Sequence, residues 1–145
     1  MKISVSGRLP RGVTEVRIHA AIREAFRSAR RKERGDVSVQ FVTEKAIAKL
    51  NRYACGKERP TDVLAFPSEV SAPGEKEWGD IFIATTYAER QAEHRHITVA
   101  EEIFRLVIHG VLHLLGYDHR HADEEADMFG RQERALQKIY GSSSL

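Results

Sequence analysis

A chain of 145 residues with a net charge of +2, 41% hydrophobic and 30% charged residues, has the composition of one ordinary globular domain with a core of its own. No stretch approaches the roughly 20 apolar residues of a membrane span, and residues 1–8 hold no apolar run long enough for a signal peptide. Cys55 is the single cysteine, which excludes an internal disulfide and favours a reducing compartment. We therefore expect a cytoplasmic protein without a membrane partner.

The net charge conceals an imbalance between the two halves of the chain. Residues 1–60 hold 15 Lys and Arg against 6 Asp and Glu, whereas residues 61–145 hold 8 against 15. A basic half is compatible with a polyanion-binding surface, but arginines that cluster on a solvated helix would give the same imbalance. Charge alone leaves nucleic-acid binding open.

Strands and helices alternate in the first half of the chain. Residues 2–6 predict a short strand, and apolar residues at helical spacing predict a helix over about 14–31. After a break at residues 35–36, the alternation of residues 37–42 indicates a second strand. Thr43 can cap the short helix that follows.

Two short apolar runs open the second half. Residues 63–66 and 81–83 are each typical of a strand. Thr86 and Glu89 have the spacing of a capping box, which predicts a helix over about 86–95.

The next predicted helix is the most apolar part of the chain. Thr98 and Glu101 repeat the capping spacing before a helix over about 99–115, which should be central and buried, and Gly116 is placed to end it. A last helix is predicted over about 123–139. The residues that it is expected to contribute to the core are Ala126, Phe129, Leu136 and Ile139.

This order of elements predicts an α+β fold in one compact domain over residues 1–140. We expect a mixed four-stranded sheet packed with about five helices. Residues 141–145 are expected to form a flexible tail.

Three histidines around the end of the central helix indicate a metal site. His109 and His113 are four residues apart, so both imidazoles lie on one helix face, and a turn at Gly116 would let His119 supply a third nitrogen. Three protein ligands leave one tetrahedral position open, which is typical of a catalytic zinc site whose bound water ionises near neutral pH. We expect one Zn²⁺ per chain on the central helix, although three histidines also accept nickel, cobalt or copper.

The same histidine spacing occurs in the metzincin peptidases, with one departure. Their general base is a glutamate directly after the first histidine, and this chain has Gly110 there. A peptidase mechanism of that type therefore lacks its base. Asp118, just before the third histidine, is equally compatible with orienting an imidazole and with an ordinary turn.

Two segments resemble the YbeY family of single-metal bacterial endoribonucleases. His109 to His119 reads like the metal signature of that family, and residues 56–67, GKERPTDVLAFP, are similar to its Gly-Lys-Asp-x-Pro-Thr-Asp-Val-Leu-Ser-Phe-Pro. The resemblance covers about residues 36–140. It implies an α+β fold, a zinc ion on His109, His113 and His119, and cleavage of single-stranded RNA in the 3′-end maturation of small-subunit ribosomal RNA and in ribosome quality control. The implied partners are single-stranded ribosomal RNA, the small ribosomal subunit and its assembly proteins, and we expect no DNA partner.

One departure from the family pattern concerns the residues that would contact phosphate. Many members carry an arginine, linked to activity, directly before the Gly-Lys pair, where this chain has Cys55. Lys57 and Arg59 are the nearby cations that could stabilise charge on a phosphate, or they could be ordinary solvated loop residues. Asp62 and Asp118 are candidates for a general base because they lie next to the motifs. We expect Cys55 to be a small half-buried residue rather than a fourth metal ligand.

The predicted function is thus a single-strand-specific, metal-dependent endoribonuclease. A non-catalytic, metal-containing ribosome assembly factor stays open because of Cys55, and a metallopeptidase is the third alternative, against which Gly110 counts. The attacking group, either a metal hydroxide or the 2′-hydroxyl of the RNA, is left open by the sequence.

Overall fold

A mixed β-sheet carries the helices of this chain, in the order that the sequence predicts. The computed structural model describes residues 1–68, 77–117 and 121–140. Within those residues there are four strands and five helices in a single α+β domain, which confirms the predicted fold class. The predicted tail, residues 141–145, lies outside the described residues.

The sheet combines parallel and antiparallel pairing. Its strands are β1 (Lys2–Ser6), β2 (Asp36–Val42), β3 (Val63–Pro67) and β4 (Glu77–Ala84). The strand order is β1-β2-β4-β3, in which β1 pairs with β2 and β2 with β4 in parallel, while β3 joins β4 in antiparallel pairing. The two central strands are therefore β2 and β4.

One row of apolar side chains crosses the whole sheet. Val5, Val39, Ile81 and Ala65 are register partners on β1, β2, β4 and β3 in turn, and the two central members are fully buried. Helices cover the faces of the central strands, and strands buried in this way favour branched apolar residues. Ile81 in this row is one point at which the sheet contacts the helix that carries the histidines, since it lies against Gly110.

The helices are close to their predicted positions. They are α1 (Glu15–Ser28), α2 (Glu44–Cys55), α3 (Thr85–Arg95), α4 (Val99–Leu114) and α5 (Ala122–Ile139). Helix α1 ends about three residues before its predicted end, where Arg30 adopts a left-handed backbone with φ of 55°. That conformation cannot continue a right-handed helix.

Helix α4 is the central element, as predicted. It packs against α1, α3, α5, β3 and β4, and eleven of its residues are buried. Thr98 caps its start by accepting a hydrogen bond from the Glu101 amide at 3.1 Å. At its end, Gly116 (φ 101°) allows the amides of Gly116 and Tyr117 to bond back to His113 and Leu112, the pattern of a Schellman motif. Residues 118–120, which come next in the sequence, lie outside the described residues.

Two predictions about helix details are wrong. Helix α3 starts directly from β4 and has Ala84 as its N-cap, so Thr86 lies inside the first turn and makes no capping box with Glu89. On α5, Ala126 is exposed and Phe129 is 61% exposed. Leu136 is buried and Ile139 packs against the core, as predicted. The buried stripe of α5 runs through Met128, Gln132, Ala135 and Leu136, because the spacing of four, three and one places those residues on one helix face.

No helix among the described residues is both long enough and apolar enough to cross a bilayer.

Helices α2 and α3 are joined by one carboxylate near the start of α2. Glu44 accepts hydrogen bonds from Thr86 and from both Nη atoms of Arg90, with Arg90 Nη1 2.8 Å from Glu44 Oε2. These hydrogen bonds lower the pKa of Glu44 from 4.5 to about 2, and the bond from Arg90 has a larger effect than the bond from Thr86. The Thr86 hydroxyl is thus used between helices rather than as a cap.

Replacing this carboxylate should change how stability depends on acid. Because the folded pKa lies below the unfolded one, the ionised group stabilises the fold fully above pH 4.5 and loses that contribution as the pH falls toward about 2. We expect Glu44→Gln to lower the free energy of unfolding near pH 6 and to bring the curves of the two proteins together toward pH 2. Urea denaturation across that range measures the effect, with the exposed Glu89→Gln as the matched control. Parallel curves for wild type and Glu44→Gln would contradict it.

Candidate metal centre and adjoining cavity

Helix α4 carries one polar stripe on an otherwise buried surface. Glu101, Arg105, His109 and His113 follow each other at intervals of four, and all four are half-buried. Residues at that spacing lie above one another on a helix. The apolar residues between them hold the helix in the core, so the stripe opens toward a cavity beside it.

The two histidines meet at their Nε2 atoms. His109 Nε2 and His113 Nε2 are 3.1 Å apart, and the ring centroids are 4.6 Å apart with the planes at 73°. Two nitrogens that each bind a tetrahedral zinc ion at about 2.0–2.1 Å would be separated by about 3.3 Å. The spacing of this pair therefore fits a shared ion.

Two other predicted site residues, the third metal ligand and a candidate base, follow α4 along the chain. His119 and Asp118 lie outside the described residues. In the part of the chain that the structure describes, no group of three or more His, Cys, Asp or Glu side chains could hold a metal ion. The structure therefore brings two of the three predicted ligands together, and the three-histidine site stays a prediction.

Gln132 of α5 contacts the first histidine, His109, at its other ring nitrogen, Nδ1. Its Oε1 lies 2.8 Å from His109 Nδ1, and its Nε2 donates to Glu133 Oε2 at 3.1 Å. The Gln132 side chain is buried, at 7% exposure. A buried amide at this place is satisfied by the histidine on one side and the carboxylate on the other.

The carboxylate next to Gln132 belongs to a larger ionic network. Arg105 donates to both oxygens of Glu133, at 3.0 and 3.2 Å, and also contacts Glu101 and Glu102. Burial alone would raise the pKa of Glu133, but the hydrogen bonds, chiefly from Arg105, bring it below its ordinary value. Glu102 is fully buried and is paired with Arg95 at 3.0 Å, and its burial raises its pKa in spite of both arginines.

A cavity of about 490 Å³ lies against this network. Asp62, Arg95, His109 and Gln132 are among its lining residues. A second cavity of about 430 Å³ shares His109, Gln132 and Phe129 with the first. His109 thus borders space on the side of α5 and on the side of β3.

Asp62 is the one described catalytic candidate that lies in the cavity with a histidine. Its Oδ1 accepts from the Val63 amide at 2.7 Å, and its Oδ2 accepts from Gln91 Nε2 at 3.0 Å. The same Gln91 amide donates to Glu102 at 3.4 Å. The motif before β3 is therefore connected through α3 to the polar network of α4.

The basic candidates lie apart from that cavity. Lys57 and Arg59 are exposed in the loop after α2, and neither belongs to the described residues that line the cavity of Asp62 and His109. Asn51 fixes the loop by donating to the Arg59 carbonyl at 3.0 Å. Cys55 is exposed rather than half-buried as predicted, because it ends α2 on the solvent side, where its Sγ donates to Asn51 Oδ1 at 3.3 Å.

Three polar residues of this site were not predicted from the sequence. Arg105 and Glu102 are charges inside the most apolar helix, and Arg105 is four residues before His109, which was a usable signal. Gln132 is four residues after Met128 on the buried stripe of α5. Recognising its role required knowing which face of α5 is buried, and the sequence prediction of that face was correct at Leu136 and Ile139 but wrong at Ala126 and Phe129.

Gly110 faces the sheet and not the histidine side of α4. A Cβ added there would lie 2.8 Å from Ile81 Cγ2 and 3.1 Å from two other atoms of Ile81. A glutamate at this position would be driven into the sheet. The position at which metzincins carry their base is thus closed to a side chain.

The comparisons with known proteins agree with this architecture. Residues 9–140 match the family model described as Endoribonuclease YbeY, so the likeness also takes in α1, before the predicted start at residue 36. A relative of that name from Persephonella marina is 41% identical over 107 residues, which are 72% of this chain and 70% of the relative. One from Bacillus cereus is 39% identical over 129 residues, or 80% and 83%.

A solved structure shows the same fold. The solution structure of a Thermotoga maritima protein is 28% identical, has a TM-score of 0.66 and covers 98% of this chain and 91% of its own. The fold and the matches define a hydrolase that acts on RNA. The chain belongs to the YbeY family of endoribonucleases, which act in ribosomal RNA maturation and are in general metal-dependent.

The contact between Gly110 and Ile81 can be tested by a double-mutant cycle. We expect Gly110→Ala to destabilise the wild type, because overpacking costs about 1–3 kcal/mol and exceeds the helix-propensity gain of about 1 kcal/mol. In an Ile81→Ala background the added Cβ has room, so the same change should stabilise the fold by about 1 kcal/mol. Urea denaturation of the four proteins measures this. An equal effect of Gly110→Ala in both backgrounds would be inconsistent with the contact.

Proposed function

We propose that this chain is a single-strand-specific, zinc-dependent endoribonuclease that matures the 3′ end of small-subunit ribosomal RNA and takes part in ribosome quality control. The observation that supports this most directly is the 3.1 Å separation of His109 Nε2 and His113 Nε2 at a cavity, in a chain of the YbeY family. His109, His113 and His119 would hold one ion. When bound, zinc supplies a Lewis acid for a phosphoryl oxygen and an acidified water.

The other residues have separate proposed roles. Lys57 and Arg59 contribute positive charge that stabilises a developing phosphate charge, since both are exposed and lie in the family motif. Asp62 is the candidate base in the cavity, with Oδ2 held toward Gln91. Asp118 is the second candidate. The chemical ends of the product show which group attacks the phosphate, because a 2′,3′-cyclic phosphate would require attack by the 2′-hydroxyl of the RNA.

The proposed partners follow from charge and family. The excess of Lys and Arg in residues 1–60 favours a polyanion, and exposed arginines such as Arg23 and Arg27 lie on α1. We propose single-stranded ribosomal RNA, the small ribosomal subunit and its assembly proteins as partners, in the cytoplasm, without DNA or a membrane.

One observation favours a second function. The residue before the Gly-Lys pair is Cys55, whose Sγ is bonded to Asn51, so no guanidinium is present at the position where many family members have one. A metal-containing assembly factor that binds the small subunit without cutting RNA would tolerate this replacement. Such a factor would bind ribosomal RNA and leave it intact.

Cleavage should depend on the histidines. We expect the purified protein to cut a single-stranded RNA from the 3′ end of small-subunit ribosomal RNA, and we expect His113→Ala or a chelator to abolish the cut, because each removes the bound ion. A duplex of the same sequence should stay intact. Gel analysis of the RNA, together with metal content by mass spectrometry, measures both.

The matched control is His94→Ala, which removes an exposed histidine of α3 and should leave cleavage unchanged. If the wild type holds one metal ion and cuts nothing, the assembly-factor function is the correct one. If His113→Ala cuts as fast as the wild type, the metal site does not carry the activity.

Lys57 and Arg59 should affect the chemical step and not only RNA affinity. We expect Lys57→Gln and Arg59→Gln each to lower kcat by about 10-fold or more, since transition-state charge would lose a partner. Lys45→Gln, which removes an exposed lysine of α2, should only raise KM, and that effect should fade at higher salt. Steady-state kinetics at two salt concentrations measure this. Equal behaviour of the three variants would reduce Lys57 and Arg59 to solvated loop residues.

A further inference from the structure

The hydrogen-bond chain from Arg105 to His109 has a fixed direction. We propose that Arg105 and Glu133, acting through Gln132, hold His109 in the tautomer with its proton on Nδ1, so that Nε2 presents a lone pair beside His113. Gln132 is then a positioning residue for the metal ligand. This inference rests on the metal site of the proposed function and adds the residues that prepare it.

The direction of the hydrogen-bond chain is set by the Glu133 carboxylate, which accepts hydrogen bonds and cannot donate one. Glu133 receives Arg105 Nε at 3.0 Å on Oε2 and Arg105 Nη2 at 3.2 Å on Oε1. A guanidinium is always a donor, and a carboxylate bonded on both oxygens is acceptor-only. The same contacts lower the pKa of Glu133, which agrees with an ionised group.

The carboxylate next orients the Gln132 amide. The Gln132 nitrogen lies 3.1 Å from Glu133 Oε2 and can donate to it. The reversed amide would place a carbonyl oxygen against a carboxylate oxygen, which is repulsive. Because Gln132 is only 7% exposed, water is not at hand to compensate for that reversal. The Oε1 atom of the amide is therefore the one that faces α4.

The amide oxygen then determines the state of the histidine. Gln132 Oε1 lies 2.8 Å from His109 Nδ1, and a carbonyl oxygen can only accept. The proton of this bond must be on Nδ1, so the neutral imidazole has its lone pair on Nε2. That nitrogen is the one 3.1 Å from His113 Nε2. In the other tautomer a proton would occupy the position of the shared ion.

The test begins with the wild-type protein free of metal. Long-range proton–nitrogen NMR distinguishes the tautomers, and we expect the His109 signals of an imidazole protonated on Nδ1. A His109 ring protonated mainly on Nε2 would overturn the proposal without any variant. Since no RNA is present, this measurement is independent of whether the protein cleaves RNA.

Zinc affinity supplies the second measurement. We expect Gln132→Met, which removes the acceptor at nearly constant volume, to weaken zinc binding about 10- to 100-fold, the range found for partners of metal-bound histidines. Competition with a chromophoric chelator gives the constant. Gln137→Met, an exposed change on the same helix, should bind zinc like the wild type. Equal affinities of the two methionine variants would refute the proposal.

A swapped variant separates positioning from packing. Gln132→Glu combined with Glu133→Gln restores an acceptor opposite His109 Nδ1, so its zinc affinity and its tautomer should be nearer to the wild type than those of Gln132→Met. Failure of the swap to improve on Gln132→Met would count against a positioning role. If Gln132→Met does not fold, two other measurements test the proposal. One is the tautomer of His109 in the wild type, and the other is the zinc affinity of Glu133→Gln, which we expect to be lowered. Intact RNA together with the expected tautomer and affinities would reject the proposed nuclease alone.

Discussion

The burial of α4 is the constraint on which the rest of this structure depends. An apolar helix that packs on a sheet and on three other helices has little room for polar side chains, and here the half-buried ones follow one line, Glu101, Arg105, His109 and His113. Each buried aliphatic side chain of the helix contributes about 1.5–3 kcal/mol, so the helix cannot rotate to expose another face. The direction in which the histidine face of α4 points is therefore determined by the core and not by the histidines themselves.

Ionic groups extend this constraint from one helix to its neighbours. Arg105 is bonded to Glu133 of α5, and Glu102 is bonded to Arg95 of α3 and, through Gln91, to Asp62 before β3. Buried pairs of this kind add little net stability compared with apolar residues, but breaking one is costly, since it leaves an unpaired charge. They link the position of each surrounding element to the same polar stripe.

Much of the fold could be predicted, because its signals are local. Thr43 and Thr98 cap their helices and Gly116 ends α4, and each of these residues forms hydrogen bonds with backbone atoms only a few residues away. Local spacing was misleading at Thr86, whose hydroxyl bonds to Glu44 on another helix, and at Phe129, which has helical spacing with other apolar residues but faces solvent. Those outcomes depend on tertiary contacts that a short sequence window does not contain. The histidine pair was predictable from its interval of four, whereas Gln132 was not, because its partner is 23 residues away.

The position of Gln132 also has a consequence for the order in which the site is assembled. Helix α5 follows every other described element along the chain, and it supplies both a wall of the core and the hydrogen bond to His109. A chain synthesised only as far as α4 has both histidines but lacks Gln132, whose Oε1 contacts His109 Nδ1. The hydrogen bond between α5 and the first histidine can therefore form only after nearly all of the described chain has been synthesised, so the last helix completes this part of the site.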